Sequence, residues 1–192
     1  MVLQDTTTNH FDITTSKTGP TALAMPLNGN LKPNTLYITL DSRPLQDEYH
    51  WALVTTDASC HATLRHASNL NGPWKREEKD FRPDERMMLI TLVGVGDISD
   101  QEKMVEATRS VPVDGLPSPR TGRAFNCLTW LLDVIVALND QAIVPLPCDI
   151  CTLEECARNC AALYAETAET GHGATVVNDP LINQLPIPGD KM

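Results

Sequence analysis

The sequence predicts an α+β fold, with a small antiparallel sheet packed on one central buried helix. Three observations carry that expectation. Residues 35–95 hold β-branched and aromatic runs broken at short intervals by turn residues, the pattern of successive strands. Residues 127–138 are apolar around most of a helical circumference. A chain of 192 residues, 42% hydrophobic and 21% charged, can bury one good core with tails to spare.

The elements follow in order. Residues 1–34 are rich in Thr, Asn, Pro and Gly without periodicity and read as a flexible amino-terminal arm. "TLYITL" (Thr35–Leu40) reads as a strand, and "DSRPLQDE" as a loop. "YHWALVTT" and "CHATLRHA" then form a hairpin about the short turn "TDAS". "GPWKREEKDF" has room for a further short strand, and "MMLITLVGV" (Met87–Val95) reads as a fully buried one. Ser99 with Glu102 fits a capping box for a helix through "DQEKMVEATRS". A Pro/Gly loop leads to the main helix, about Cys127–Leu138, whose polar positions Thr129, Asp133 and Asp140 share one narrow stripe. Thr152 with Glu155 is a second capping box, opening a helix to about Ala168. The chain is thus read as a single α+β domain over 35–170, followed by an irregular carboxy-terminal tail over 171–192.

Charge narrows the partners. A formal net charge of −10 without a basic stripe excludes nucleic-acid backbones and anionic membranes as expected partners, since both reward Lys and Arg. The start of the chain lacks the basic and apolar segments of a signal peptide, and "LTWLLDVIVAL" is too short to span a bilayer. The expectation is a cytoplasmic protein without a membrane span, whose six cysteines are free thiols, ligands or a nucleophile rather than three disulfides.

Two features carry chemistry. In an antiparallel hairpin, opposed residues have a constant sum of numbers. A turn centred near Asp57–Ala58 makes that sum 115 to 116 and sets His66 opposite or next to opposite His50. One face then reads His50, Ala52, Val54 against Ala62, Leu64, His66, while His61 points away with Arg65. Satisfied core histidines are the plain alternative. The second feature is "RAFNCLTW", with Asn126 as helix cap and Cys127 in the first turn. The helix dipole and unpaired backbone N–H groups there favour a thiolate and are placed to receive an oxyanion. A buried structural cysteine is the alternative.

Together, "HWAL" on one strand, a second histidine on the next and "NC" opening a buried helix resemble the circularly permuted papain-like (NlpC-type) superfamily. The nearest motif pattern is that of its lecithin:retinol acyltransferase-like group. The chain is also similar to fungal proteins with an HWAL strand and an NC-x-x-W helix. The resemblance spans about residues 35–140 and implies a permuted papain-like fold. It also implies Cys127 as nucleophile, His50 as general base and His66 as the residue orienting His50, with the N–H groups of Cys127 and Leu128 as oxyanion donors. The chain departs from the acyltransferase group at Leu128 and Thr129, where that group has an acidic residue and a histidine. Its histidine spacing also matches His61 better than His66.

The implied function is thiol-dependent acyl chemistry, by a hydrolase or acyltransferase, on a small-molecule or peptide acyl substrate, with no cofactor and no metal. The rival is a non-catalytic binding or accessory protein using the same cleft. A third possibility rests on Cys148, Cys151, Cys156 and Cys160, whose spacing permits a zinc site. Cys156 and Cys160 also fall on the helix stripe of Leu153, Ala157, Tyr164 and Ala168, which explains them as core residues.

Overall fold

The computed structural model describes residues 26–44 and 48–181. Most of the expected amino-terminal arm and the end of the tail lie outside these residues. Seven strands form one mixed sheet: β1 (Leu27–Asn28), β2 (Thr35–Ser42), β3 (Tyr49–Thr56), β4 (Ala62–Ser68), β5 (Lys75–Asp80), β6 (Leu89–Asp97) and β7 (Ala174–Val177). Their spatial order is β1-β7-β6-β2-β3-β4-β5. Five strands, β6-β2-β3-β4-β5, are antiparallel, and β7 and β1 extend the β6 edge in parallel.

The sheet is therefore larger than the small antiparallel one expected. Its two extra strands come from segments read as arm and irregular tail. Both are short, and parallel pairing is non-local, so neither leaves a hairpin signal in the sequence. Gly173 makes the closure possible. It sits at φ 87°, ψ 167°, and a Cβ there would lie 1.9 Å from the Pro26 carbonyl oxygen. That backbone region alone costs a side-chain-bearing residue about 1–3 kcal/mol. Gly173→Ala should lower the unfolding free energy by at least that much, seen as a fall in the urea midpoint at unchanged slope, and expose the β6–β7 amides to hydrogen exchange. An unchanged midpoint would show that β1 and β7 contribute little to stability.

Three helices cover one face: α1 (Gln101–Ser110), α2 (Cys127–Asp140) and α3 (Ile150–Thr167). Trp51, Leu53, Leu36, Ile38 and Leu40 meet Trp130, Leu131, Ile135 and Leu153 in the main core. Tyr37, Ala52, Val54, Leu64 and Leu92 form a second buried cluster on the opposite face. Helix α2 is the central buried helix, as its apolar circumference requires. It runs two residues beyond the expected Leu138, and Thr129 is buried rather than on the polar stripe. The Thr129 hydroxyl donates to the Ala124 carbonyl, which removes the cost of burying it.

Both capping boxes are displaced. Asp100, not Ser99, caps α1 by accepting from the Lys103 N–H. Asp149, not Thr152, caps α3 by accepting from Cys151 and Thr152. An aspartate stands directly before each helix, a cap as good as serine for α1 and better than threonine for α3. Ser99 instead donates to the Ile143 carbonyl and so ties the end of α2 to the start of α1.

Candidate active site

The hairpin between β3 and β4 positions the histidines. Its ladder runs from Thr56↔Ala62 to Leu53↔Arg65, so opposed residues total 118 rather than 115 to 116. The turn is longer than expected because the Asp57 carboxylate accepts from Ser59 and His61 N–H groups, while Cys60 takes φ 63°. A slip of two residues preserves the period of two, so His50 and His66 keep a common face and become diagonal neighbours.

Beyond Leu53↔Arg65 the two strands no longer pair with each other. β3 stays bonded to β2 through Ser42↔Tyr49, and β4 stays bonded to β5 through Ser68↔Lys75. The sheet forks here. The imidazoles bridge the fork, with His50 Nε2 2.6 Å from His66 Nδ1. His61 lies elsewhere: it is exposed and pairs with Asp80 at 3.5 Å.

The partners of this pair define the protons. Arg43 Nη2 lies 3.1 Å from His50 Nδ1. A guanidinium only donates, so Nδ1 must accept. A neutral His50 then carries its proton on Nε2 and donates to His66 Nδ1. His66 in turn donates from Nε2 to Glu77 Oε2 at 3.2 Å. Hydrogen bonding thus assigns a single direction from Arg43 through His50 and His66 to Glu77. Burial, with His66 and Arg43 adding to it, lowers the His50 pKa to about 3. Burial also lowers that of His66, against the opposing pull of Glu77. Both rings are neutral at neutral pH. Beside them the buried Asp41 is held by Arg86, and burial outweighs that guanidinium in raising the Asp41 pKa.

Cys127 opens α2, and Asn126 caps it as expected, its side chain accepting from the Thr129 N–H at 2.8 Å. The Asn126 carbonyl accepts from Trp130. Among the described residues, the N–H groups of Cys127 and Leu128 have no acceptor outside the helix, and a helix's first N–H groups have none within it. Cys127 is 7% exposed, yet it lines one cavity of about 420 Å³ together with His50, His66, Arg43 and Trp74. The fork explains this. Alternation puts the histidines on the face away from α2, and only where the strands part can both sides contribute to one space. No hydrogen bond joins the Cys127 sulfur to either imidazole.

Glu77, Arg43 and Trp74 were not among the residues expected from sequence. A signal for Glu77 was present. A hairpin centred on Asn71-Gly72 makes opposed residues total 143, which sets Glu77 against His66, as observed. Arg43 sits in an irregular loop and left no comparable trace.

The other cysteines divide. Cys156 and Cys160 are buried, Cys148 is half-buried and Cys151 is exposed. Burial raises the Cys160 pKa to about 11, so this thiol stays protonated. Among the described residues, no group of three His, Cys, Asp or Glu side chains could hold a metal ion. A larger cavity, about 690 Å³, is lined by Val111, Leu116, Phe125 and Trp130. It contains neither a thiol nor an imidazole. Phe125 stands edge-on to Trp74 at 5.0 Å, so one aromatic pair links the walls of the two cavities. No helix among the described residues is long and apolar enough to cross a membrane.

The chain belongs to DUF6914, a family of unknown function, whose model matches residues 34–170. No curated protein and no solved structure matches it.

Proposed function

We propose that the protein performs thiol-dependent acyl chemistry, as a hydrolase or acyltransferase, on a permuted papain-like arrangement of Cys127, His50 and His66. One observation carries this reading: a helix-opening thiol and a relayed imidazole line the same cavity. Cys127 Sγ attacks the acyl carbonyl while its proton passes to His50 Nδ1, the ring nitrogen not engaged by His66. The carbonyl oxygen takes the negative charge and is received by the N–H groups of Cys127 and Leu128. As the C–S bond is kept and the bond to the leaving group breaks, the leaving group takes the proton back from His50. Water or a second nucleophile then attacks the thioester by the same route in reverse, freeing the thiol. His66 accepts from His50 Nε2 throughout and is held in that orientation by its own bond to Glu77, so the pair stabilises the His50 imidazolium without taking its proton. The cavity suits a small-molecule acyl compound or a single residue of a peptide.

A non-catalytic binding role draws support from one specific feature, the guanidinium resting on the nitrogen that catalysis needs. p-Nitrophenyl acetate separates the two readings. The enzyme reading expects a burst of about one equivalent of nitrophenolate, with the acetyl mass on the Cys127 peptide, and neither in Cys127→Ser. Acetylation spread over the exposed Cys60 and Cys151, sparing Cys127, would favour the binding role.

A further inference from the structure

Of all the side chains around the histidine cavity, Arg43 is the least explained by structure alone. It is exposed and packs into no core. Among the described residues no carboxylate pairs with it, and its hydrogen bond goes to His50 Nδ1. The remaining guanidinium groups near the sheet are committed: Arg86 to Asp41, Arg65 to Glu78, and Arg76 to the Arg109 and Val111 carbonyls. The cavity's other described lining is neutral, consisting of two uncharged imidazoles, a thiol and apolar or uncharged polar side chains. Among the described lining residues, Arg43 is the one permanent charge.

An imidazole lone pair is a poor partner for a guanidinium. A carboxylate offers two oxygens and a full negative charge, and matches the planar fork of Arg with two parallel hydrogen bonds. Any carboxylate entering the cavity would therefore compete well for Arg43. Its arrival has a second consequence. The nitrogen that Arg43 leaves is the one from which His50 would take the thiol proton, because Nε2 is turned to His66.

We propose that Arg43 selects an acyl substrate bearing a carboxylate near its reactive carbonyl, and that binding this carboxylate uncovers His50 Nδ1. The inference rests on the acyl-chemistry reading. Arg43 is here a specificity and positioning residue, and it holds the base covered until a suitable anion arrives.

Iodoacetate and iodoacetamide test it with two small electrophiles that differ in charge. With either one, Cys127 sulfur forms the C–S bond, iodide leaves with the bonding electrons, and the thiol proton goes to His50. Site-resolved mass spectrometry of the intact chain reads Cys127 against the exposed Cys60 in the same tube. The iodoacetate-to-iodoacetamide rate ratio at Cys127 should exceed that at Cys60 by roughly tenfold, the scale of one charge-assisted contact. In Arg43→Ala that excess should vanish, while the iodoacetamide rate itself rises because Nδ1 is uncovered. An equal ratio at both cysteines, or one unaltered by Arg43→Ala, overturns the anion assignment. An iodoacetamide rate that stays level or falls in Arg43→Ala overturns the uncovering of His50. If instead Cys127 reacts no differently in His50→Ala, the acyl-chemistry reading itself fails and this inference falls with it. Arg43 is solvent-exposed, so Arg43→Ala should fold, and the urea midpoint checks this.

Discussion

His50→Ala should slow single-turnover acetylation of Cys127 by p-nitrophenyl acetate by about 10²–10⁴-fold, the usual contribution of a positioned general base. The other members of the relay should show graded losses. When His50 accepts a proton at Nδ1 it becomes an imidazolium, and its Nε2–H bond to His66 becomes charge-assisted. His66→Ala removes the acceptor and lets the ring turn, so its loss should approach that of His50→Ala. His66→Asn keeps an oxygen able to accept from Nε2 and should recover part of the rate. Glu77→Gln keeps an acceptor for His66 but removes the carboxylate's charge, and should cost least. His61→Ala serves as the control, since His61 faces solvent beside Asp80. Equal rates within about twofold across His50, His66 and Glu77 variants, far below a base's usual contribution, would make the relay a structural bridge across the fork.

What the sequence made legible was local. Short β-branched and aromatic runs bounded by turn residues gave β2, β3, β4 and β6, and the apolar circumference gave α2. Asn126 as a cap was readable because side-chain capping involves residues three apart. The pairing of His50 with His66 tolerated an error in the turn only because the slip was of two residues; a slip of one would have reversed the faces. What escaped the reading was non-local or irregular. β7 joins β6 by parallel pairing across 84 positions, as in Thr91↔Thr175, and β1 joins β7 across 147, as in Leu27↔Ala174, and no hairpin geometry reports either. The fork is a matter of where a ladder stops, which composition does not encode. Arg43 reaches His50 from a loop next to residues outside the described set, with no period to follow. The resulting picture has a readable scaffold and a partly readable site. The histidines and Cys127 sit on regular elements, and the residue proposed to control them does not.

Acid should weaken the fold through the same two histidines. An unperturbed imidazole titrates near ~6.5, and this is the reference for the unfolded chain. In the folded protein His50 is lowered to about 3 and His66 is lowered as well. The native state therefore binds fewer protons than the unfolded state below about pH 6.5, and stability falls as pH drops from there toward the folded pKa values. Above pH 6.5 the contribution is complete. Each histidine contributes at most about 1.4 kcal/mol per pH unit, less for His50, which solvent partly reaches. Burial is the main opponent of protonation, with His66, Arg43, Arg86 and Lys79 adding to it, and Glu77 favours it. Carboxylates whose pKa is lowered, such as Glu154 in its pairs with Arg123 and Arg158, lose their contribution at lower pH, whereas Asp41, raised by burial, acts in the opposite sense, so between pH 7 and pH 5 the histidines are read from the difference between the wild type and a variant lacking both. Urea midpoints of the wild type should fall across that window, whereas a His50→Gln/His66→Gln variant should give a flatter line whatever its absolute stability. Parallel lines would mean that the pair takes up protons in the folded chain as it does in the unfolded one, leaving a ring protonated in the native state by pH 5. The bond between His50 Nε2 and His66 Nδ1 would then join an imidazolium to a neutral ring, and the base assigned to Cys127 would have to be another group.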